Sequence, residues 1–529
     1  MKVRDPFFQL ERIRKYVDED IFPARIRKTM ELPRWKYTEN SMEEKIDDAY
    51  MVAYDDSGWK DFTLGQSWGG YDKVAWFRTK AAIPADFCDE GGSLALRAIV
   101  GPRDGGGSTA ETLLYVDGHP VQAVDIWHEE AFLDPAIYQG KNTLQISLKA
   151  WSGVLDIPKV RVFKEAAMVL IDRDMDRFYF TVDTLLKCLE LLKESDLRRI
   201  RMTKLLVEAF RMVDFMHYRE KAFYDSVGAA CEYLVQELEE LARIQEIKPT
   251  VTGVGHSHID MGWLWRFSAT REKASRTFST VLNLMRQFPE YRYMHSSPQL
   301  YRFLEKDYPE IFEAVKEKIK QGQWEITGGM WVEPDTNLPT GESLIRQFLF
   351  GKRYMKQEFG VDSRLVWLPD VFGYSGALPQ IIRKSDMDYF MTTKISWNQY
   401  NHFPHDTFWW QGIDGSRVFA HFITTPENGS WYYTYNGTME PEEITGIWEN
   451  YKDRDKNDEL LLAFGWGDGG GGPTKDMLER ARVMKNIPGI PRVQIDTAEN
   501  YFNRIYENCQ KDRLGVWDGE LYFETIPSG

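Results

Sequence analysis

Cysteine is scarce in this chain: four in 529 residues, at Cys88, Cys188, Cys231 and Cys509, far apart from one another. No pair has zinc-knuckle spacing and no closely spaced set exists, so neither a structural zinc cluster nor a disulfide-stapled secreted module is expected. Such usage fits reduced, buried thiols in a cytoplasmic protein. Long apolar runs are missing too. No stretch approaches the ~20 residues that a membrane span requires. The opening "MKVRDPFFQLERIRKYVDEDIF" has no apolar core of signal-peptide length. A basic surplus is also absent. The formal net charge is −15, which argues against nucleic acid and anionic membrane as partners, since both need a basic face.

What is present reads as a large globular protein. Hydrophobic residues make up 43% and charged residues 28%, well away from disordered compositions. The length predicts two to four domains. Aromatics reach 14%, with 18 Trp; this suits a sugar-binding cleft, although a large core uses aromatics as well.

Periodicity divides the chain. Residues 1–34 read as a charged amphipathic arm. Over 35–166 the pattern has period two: "KVAWFRTKAAI", "SLALRAIV" and "NTLQISLKA" alternate, and Asp117-Gly118 in "LLYVDGHPVQA" is a hairpin signal. An antiparallel β-sandwich without a catalytic cluster is expected there. Over 167–247 the period is helical, with Leu185, Leu186, Leu189 and Leu192 on one face; two or three helices should connect the sandwich to the next domain. From 248 to 505 strands and helices alternate. The strands are "TVTGVGH", "YRYMHSS", "QWEITGGMW", "RLVWLPD", "YFMTTKI", "RVFAHFI" and "ELLLAFGW". Alternating βα units imply a mainly parallel sheet, open or closed. Residues 506–529, with "GELYFE", read as the entry to a further domain.

Ligands of parallel βα sheets bind beyond the C-terminal strand ends, so the polar residues there are the informative ones. The first strand delivers His258 and Asp260, the second Ser297 and Gln299, and the third Glu333 and Asp335. The fourth ends at Asp370, the fifth gives Lys394, and the seventh ends at Asp468 in "GWGDGGGG". Carboxylates recur at four of seven ends. His258 and Asp260, two apart on an extended segment, point the same way and offer donors that zinc accepts, with another strand-end carboxylate as third ligand. The bland alternative makes His256 and His258 hydrogen-bonded strand-end residues, and Trp263 and Trp265 core. Four glycines after Asp468 let backbone approach a neighbour closely, but no Gly-Lys-Ser/Thr follows, so a phosphate loop is excluded. His402 and His405 fall in a loop, where solvated imidazoles are the expectation. Two carboxylates facing one pocket suit glycoside hydrolysis, one attacking the anomeric carbon and one protonating the leaving oxygen.

The stretches "GHSHIDMGWLW", "GGMWVEPDTNLPTGESLIRQ", "VWLPDVFGYSGALPQI" and "LLLAFGWGDGGGGPT" resemble glycoside hydrolase family 38, the class II α-mannosidases, and the third and fourth most resemble the cytosolic-type branch. The resemblance runs from Lys248 to Asn500, in the right order. It implies a zinc-dependent, retaining exo-α-mannosidase acting on glycans or free oligosaccharides, with a βα catalytic barrel of about seven strands. It further implies His258 and Asp260 as zinc ligands, Asp370 as nucleophile and zinc ligand, and Asp468 as acid/base. Trp263 and Phe372 match positions lining the sugar subsite. Lys394 stands where other branches carry arginine, and Glu333 and Asp335 join it as candidate substrate contacts. One departure concerns the family's fourth zinc ligand, a histidine in a later His-Asp motif: no histidine follows Asp468 here. An activity impaired by truncation is therefore expected.

Two other classes stay open. A zinc-dependent deacetylase or amidohydrolase would need a further histidine, for which His295 and His421 are candidates. A catalytically weak carbohydrate-binding fragment is the third reading. The expected partner is an α-mannoside glycan or oligosaccharide, with no nucleic acid and no membrane; a homo-oligomer stays open.

Overall fold

The structure is a computed structural model that describes residues 6–42, 44, 46, 48–87, 91–101, 110–154, 160–244 and 248–524. Cys88 and residues 525–529 of the closing stretch lie outside the described residues. The chain divides into two compact units. One comprises Met1–Glu246, Ile259–Gln287 and Asp468–Gly489; the other comprises Ile247–His258, Phe288–Gly467 and Ile490–Gly529.

In the first unit the period-two segments become antiparallel sheets. A six-stranded sheet sets Lys60–Thr63, Arg34–Ser41, Lys73–Ala82, Thr143–Trp151, Glu111–Val116 and His119–Val124 side by side. A four-stranded sheet holds Ile26–Glu31, Glu165–Asp172, Gly92–Ile99 and Glu130–Phe132. Phe77, Leu144, Ile146 and Leu148 of the larger sheet share one buried core with Leu94, Leu96, Met168 and Leu170 of the smaller. Each such side chain contributes about 1.5–3 kcal/mol by leaving water. Asp117 and Gly118 turn the hairpin at φ +49° and +87°, the two left-handed conformations that a two-residue turn of this hand needs.

The helical stretch folds as Arg173–Leu191, Leu197–Met212 and Lys221–Ile244. Asp172 and Asp196 cap the first two by accepting the amides of Met175 and Arg198. Cys188 and Cys231 are buried free thiols in this unit. Two later segments belong to it as well. Helix Phe267–Gln287 is fastened through polar groups: Thr280 Oγ1 accepts from the Ala123 amide at 3.0 Å, and Asn283 donates to Gln122 at 2.6 Å. Before helix Lys475–Met484, the Pro473 carbonyl meets His128 Nε2 at 3.0 Å, and Lys475 pairs with buried Asp176.

The second unit carries the βα grammar. Its strands are β1 (Thr250–Gly255), β2 (Tyr293–His295), β3 (Trp324–Ile326), β4 (Leu365–Trp367), β5 (Tyr389–Thr392), β6 (Thr407–Gln411), β7 (Arg417–Phe422), β8 (Glu459–Phe464), β9 (Arg492–Ile495) and β10 (Val516–Asp518). All seven strands expected from the sequence are present, as β1–β5, β7 and β8. One five-stranded sheet has the order β3-β2-β1-β8, with β9 also on β1; the other has the order β4-β5-β7-β6-β10. Every ladder is parallel except β6–β7. One edge of β1 is shared, since β9 pairs with Thr250–Gly253 and β2 meets only Gly255. The sheets are linked where the Gly328 amide donates to the Leu365 carbonyl at 3.0 Å.

Strands buried on both faces need apolar residues at every position, and β5 is buried throughout. Leu365, Trp367, Tyr389, Met391 and Phe419 point into one core with Val254, Met294 and Leu461 of the first sheet. Val366, Phe390, Val418 and Ala420 point into another, with Leu344, Phe348 and Ile382 of the helices. Helix Gly341–Phe359 starts at the Thr340 cap and stops at Gly360, φ +73°. Near the end of the chain, β10 lies beside β6, and Leu521 exchanges two backbone hydrogen bonds with Tyr374. Among the described residues no helix is long and apolar enough to cross a membrane.

Candidate active site

The chain leaves β1 at Gly255 but stays on the ladder one residue longer, through the His256 amide to the Phe464 carbonyl at 2.9 Å. His256 is fully buried and accepts from Trp367 Nε1 at 3.1 Å. Burial, with His295 and His258 nearby, holds its pKa well below the ordinary value. It is a buried residue just past the strand end, hydrogen-bonded to Trp367.

His258 is different. It is 3% exposed, and its two nitrogens face two carboxylates. Nδ1 lies 3.0 Å from Glu333 Oε2, and Nε2 lies 3.7 Å from Asp370 Oδ2. Tyr435 packs edge-on against the ring at 5.2 Å. Asp370, just past β4, turns its other oxygen to Lys394 Nζ at 2.5 Å. Lys394 is 3% exposed and reaches Asp370 from the turn after β5, its ammonium 3.6 Å from the Trp397 ring centre and 4.7 Å from that of Phe372. Those aromatic faces and Asp370 take the place of the water that the charge has lost.

One ligand atom from each of His258, Asp260 and Asp370 lies within 4.8 Å of the others, and this is the one such group of three among the described residues. The donor set tests whether an ion fits. The separation of 3.7 Å between His258 Nε2 and Asp370 Oδ2 is too long for a hydrogen bond. Two ligands bonded at about 2.0–2.2 Å to a tetrahedral zinc sit roughly 3.4 Å apart. Imidazole nitrogen with two carboxylates is a donor set that divalent transition ions accept. The residues fit.

The remaining strand-end residues divide by what they touch. Glu333 Oε1 accepts from Ser296 Oγ at 3.0 Å. Asp335 Oδ1 accepts the amides of Asn337 and Leu338, both at 2.8 Å, and so shapes its own turn. That turn supports the Phe372 loop, since Thr336 Oγ1 donates to the Gly373 carbonyl and Asn337 to that of Phe372. Phe372 is 55% exposed and Trp263 61% exposed. Both are too open to be core residues. Gln299 accepts from Trp331 Nε1, and Ser297 is buried at the start of helix Pro298–Asp307. Both are structural.

Asp468 lies in the first unit at φ +54°, a left-handed conformation that aspartate tolerates. Its carbonyl accepts from Lys273 Nζ at 3.2 Å. The glycines after it allow close packing: a Cβ on Gly471 would fall 2.6 Å from the His128 ring and 2.9 Å from Asp125 Oδ2. Lys273 itself bonds Glu111 Oε1 at 2.5 Å, and Arg276 takes the other Glu111 oxygen. Sequence reasoning missed this buried cluster, and also the Glu333 approach to His258. A lone glutamate heading the apolar "ETLLYV", and a lysine and arginine three apart on a mostly buried helix, were the available signals.

The histidines a deacetylase would require are in the core. His421 is held by Thr407 Oγ1 at 2.9 Å and Tyr501 OH at 3.0 Å, and His295 Nδ1 accepts the Ser297 amide at 3.2 Å. Burial pushes both down to about 3. His405 lies 3.5 Å from Asp453 and His402 is exposed, so neither joins the site.

The family model for the N-terminal domain of glycosyl hydrolases family 38 matches residues 248–520. Alpha-mannosidase G of Dictyostelium discoideum is 45% identical over 279 residues, 53% of this chain and 25% of its own. The alpha-mannosidase of Saccharomyces cerevisiae is 42% identical over 287 residues, 53% of this chain and 26% of its own. Human alpha-mannosidase 2C1 is 32% identical over 493 residues, 89% of this chain and 45% of its own. The chain thus spans between a quarter and a half of the length of these relatives.

Proposed function

The chain belongs to glycosyl hydrolase family 38, and on that premise we propose that it acts as a retaining α-mannosidase whose chemistry gathers at the strand ends around Asp370. The observation that carries this reading is the convergence of His258, Asp260 and Asp370, with Lys394 on the second oxygen of Asp370. We read the two mainly parallel sheets as the wall of one catalytic barrel, because they share a core, and the antiparallel sheets of the first unit as a sandwich.

Asp370 is the nucleophile. Its carboxylate attacks the anomeric carbon, the glycosidic bond breaks, and a covalent glycosyl ester forms; water then cleaves the ester with the configuration restored. The Lys394 ammonium keeps a fixed positive charge beside Asp370, so the carboxylate enters the reaction with one oxygen held. The family resemblance assigns to Asp468 the proton that the leaving oxygen receives and the incoming water loses. Trp263 and Phe372 supply apolar faces for the sugar ring. His258, Asp260 and Asp370 would hold a divalent cation, which supplies a Lewis-acid grip on ring hydroxyls. We propose zinc from the nitrogen and oxygen donor set. The substrate class, an α-linked mannoside of a glycan or free oligosaccharide, rests on the relatives' names.

The test is a mannosyl fluoride carrying a second fluorine, which accumulates the glycosyl-enzyme. Peptide mapping should find the label on Asp370, with release of a chromogenic α-mannoside abolished in Asp370→Asn. A label on any other residue removes Asp370 from its role, and full turnover in the presence of a strong chelator removes the cation.

A further inference from the structure

His258 sits between two carboxylates, and the outer one has a clear geometric task. Glu333 is not among the three residues whose ligand atoms converge. It stands on the far side of the imidazole, Oε2 3.0 Å from Nδ1, within ion-pair distance but not aligned as a hydrogen bond, while Nε2 faces Asp370. Glu333 is itself held, because Ser296 Oγ donates to its Oε1 at 3.0 Å. The backbone is built to bring these groups together. Gly328, at φ +98°, passes so close to Ser296 that a Cβ on it would lie 2.6 Å from the serine Cβ. The glutamate side chain is 9% exposed and the imidazole 4% exposed, so water competes little for either.

We infer that Glu333 is a positioning residue that fixes the tautomer and the orientation of His258. An anionic carboxylate facing Nδ1 favours the tautomer with the proton there. The Nε2 lone pair is then left to face Asp370, which is where a cation held by this site must find it. Partners of this kind on a ligating histidine typically change metal affinity 10–100-fold when removed. The inference rests on the reading of His258, Asp260 and Asp370 as the cation site.

Zinc affinity of the whole chain, measured by competition with a chromophoric chelator, tests it without any assay of turnover. Glu333→Ala should bind zinc about 10–100-fold more weakly than the parent. Glu333→Gln keeps an acceptor and should lose only a few-fold, and Ser296→Ala should weaken binding slightly in the same direction. In histidine-labelled, metal-free protein, long-range proton–nitrogen correlations should show His258 protonated at Nδ1 in the parent and as a tautomer mixture in Glu333→Ala. Parent-like affinity in Glu333→Ala, alongside weakened binding in Asp260→Ala, overturns the role of Glu333 and leaves the cation site standing. Parent-like affinity in both Asp260→Ala and Asp370→Ala overturns the cation site instead. Should Glu333→Ala fail to fold, the Gln and Ser296→Ala variants and the parent tautomer decide, and a parent protonated at Nε2 refutes the proposal.

Discussion

Replacing Glu111 by Gln should unfold the first unit far more readily than the loss of one negative charge suggests. Glu111 is 4% exposed and receives two cations: Lys273 at 2.5 Å on one oxygen and Arg276 on the other. Side-chain exposures of 2% for Lys273 and 5% for Arg276 leave almost no water to take over. Breaking a buried pair by deleting one partner costs about 3–5 kcal/mol, because the remaining charge is stranded. Two charges are stranded here, but they respond differently. Lys273 can shed its proton, and burial already holds its pKa below the usual lysine value despite Glu111; Arg276 cannot. The lower end of the range, about 3 kcal/mol, is therefore the expectation. At about 2.1 cal/mol/K per residue, a unit of roughly 300 residues shifts by about 1.6 °C per kcal/mol, so the melting temperature falls by roughly 5 °C. Calorimetry of Glu111→Gln measures it. The double variant Glu111→Gln/Lys273→Met should show coupling of at least ~1 kcal/mol between the two sites. A melting temperature within about 1 °C of the parent would refute the buried cluster.

Asp468→Ala should slow hydrolysis of an alkyl α-mannoside by about 10²–10⁴, the usual size of general-acid assistance, and that of a dinitrophenyl α-mannoside much less in its first step, because a good leaving group needs no proton; equal losses on both substrates would remove the acid role. Lys394→Met should lower kcat of chromogenic mannoside release by roughly 10²–10³, comparable to losing one preorganised electrostatic contact, with KM moved far less, and a parent-like kcat would place Lys394 outside the chemistry. Acid should destabilise the chain in a defined window. His256, His295 and His421 have folded-state pKa values below the unfolded value, the last two down to about 3; their stabilisation is present above about pH 6.5 and lost as pH falls, at on the order of 1.4 kcal/mol per pH unit for each. Glu325 and Glu443, raised by burial to about 7, act in the opposite sense, losing stabilisation as pH rises from about 4.5 through 7. The fall in urea midpoint should therefore be steepest between about pH 4.5 and 3, and a flat midpoint across that interval would show that the histidines are not buried neutral.

The strand ends were legible because parallel sheets impose a simple grammar. A strand buried on both faces seldom carries a charge in its middle, so the first polar residues after "TVTGVG" or "RLVWLP" mark where backbone leaves the core; that rule gives Asp370 directly, whereas after "TVTGVG" it gives buried His256 first and His258 only two positions later. The strands that escaped notice are those the grammar does not govern. β6, "TFWWQ", is antiparallel and joins β7 through a turn containing Asp414 and Gly415, the same Asp-Gly signal that revealed the hairpin at Asp117, but here set inside a βα pattern. β9 and β10 have four and three residues and, unlike the equally short β2, β3 and β4, lie in segments with few apolar neighbours to mark them, "PRVQID" and "GVWDGE".

The cluster of Glu111, Lys273 and Arg276 escaped for a deeper reason. Its members are 162 and 165 positions apart in the chain, and each alone resembles a surface charge on an otherwise amphipathic element. Periodicity can say that a position faces inward; it cannot say that three inward charges meet. The same limit governs Glu333. The motif "WVEPDTN" placed two carboxylates near the site but not their tasks. Asp335 accepts its own turn's amides, while Glu333 reaches across from the third strand end to the first, to the imidazole at 3.0 Å. What separates them is a glycine pair before the motif: at Gly328, next to Ser296, any side chain would push Glu333's serine partner away. The orientation of a site residue is thus set by a position that carries no chemistry of its own, and only the folded backbone connects the two.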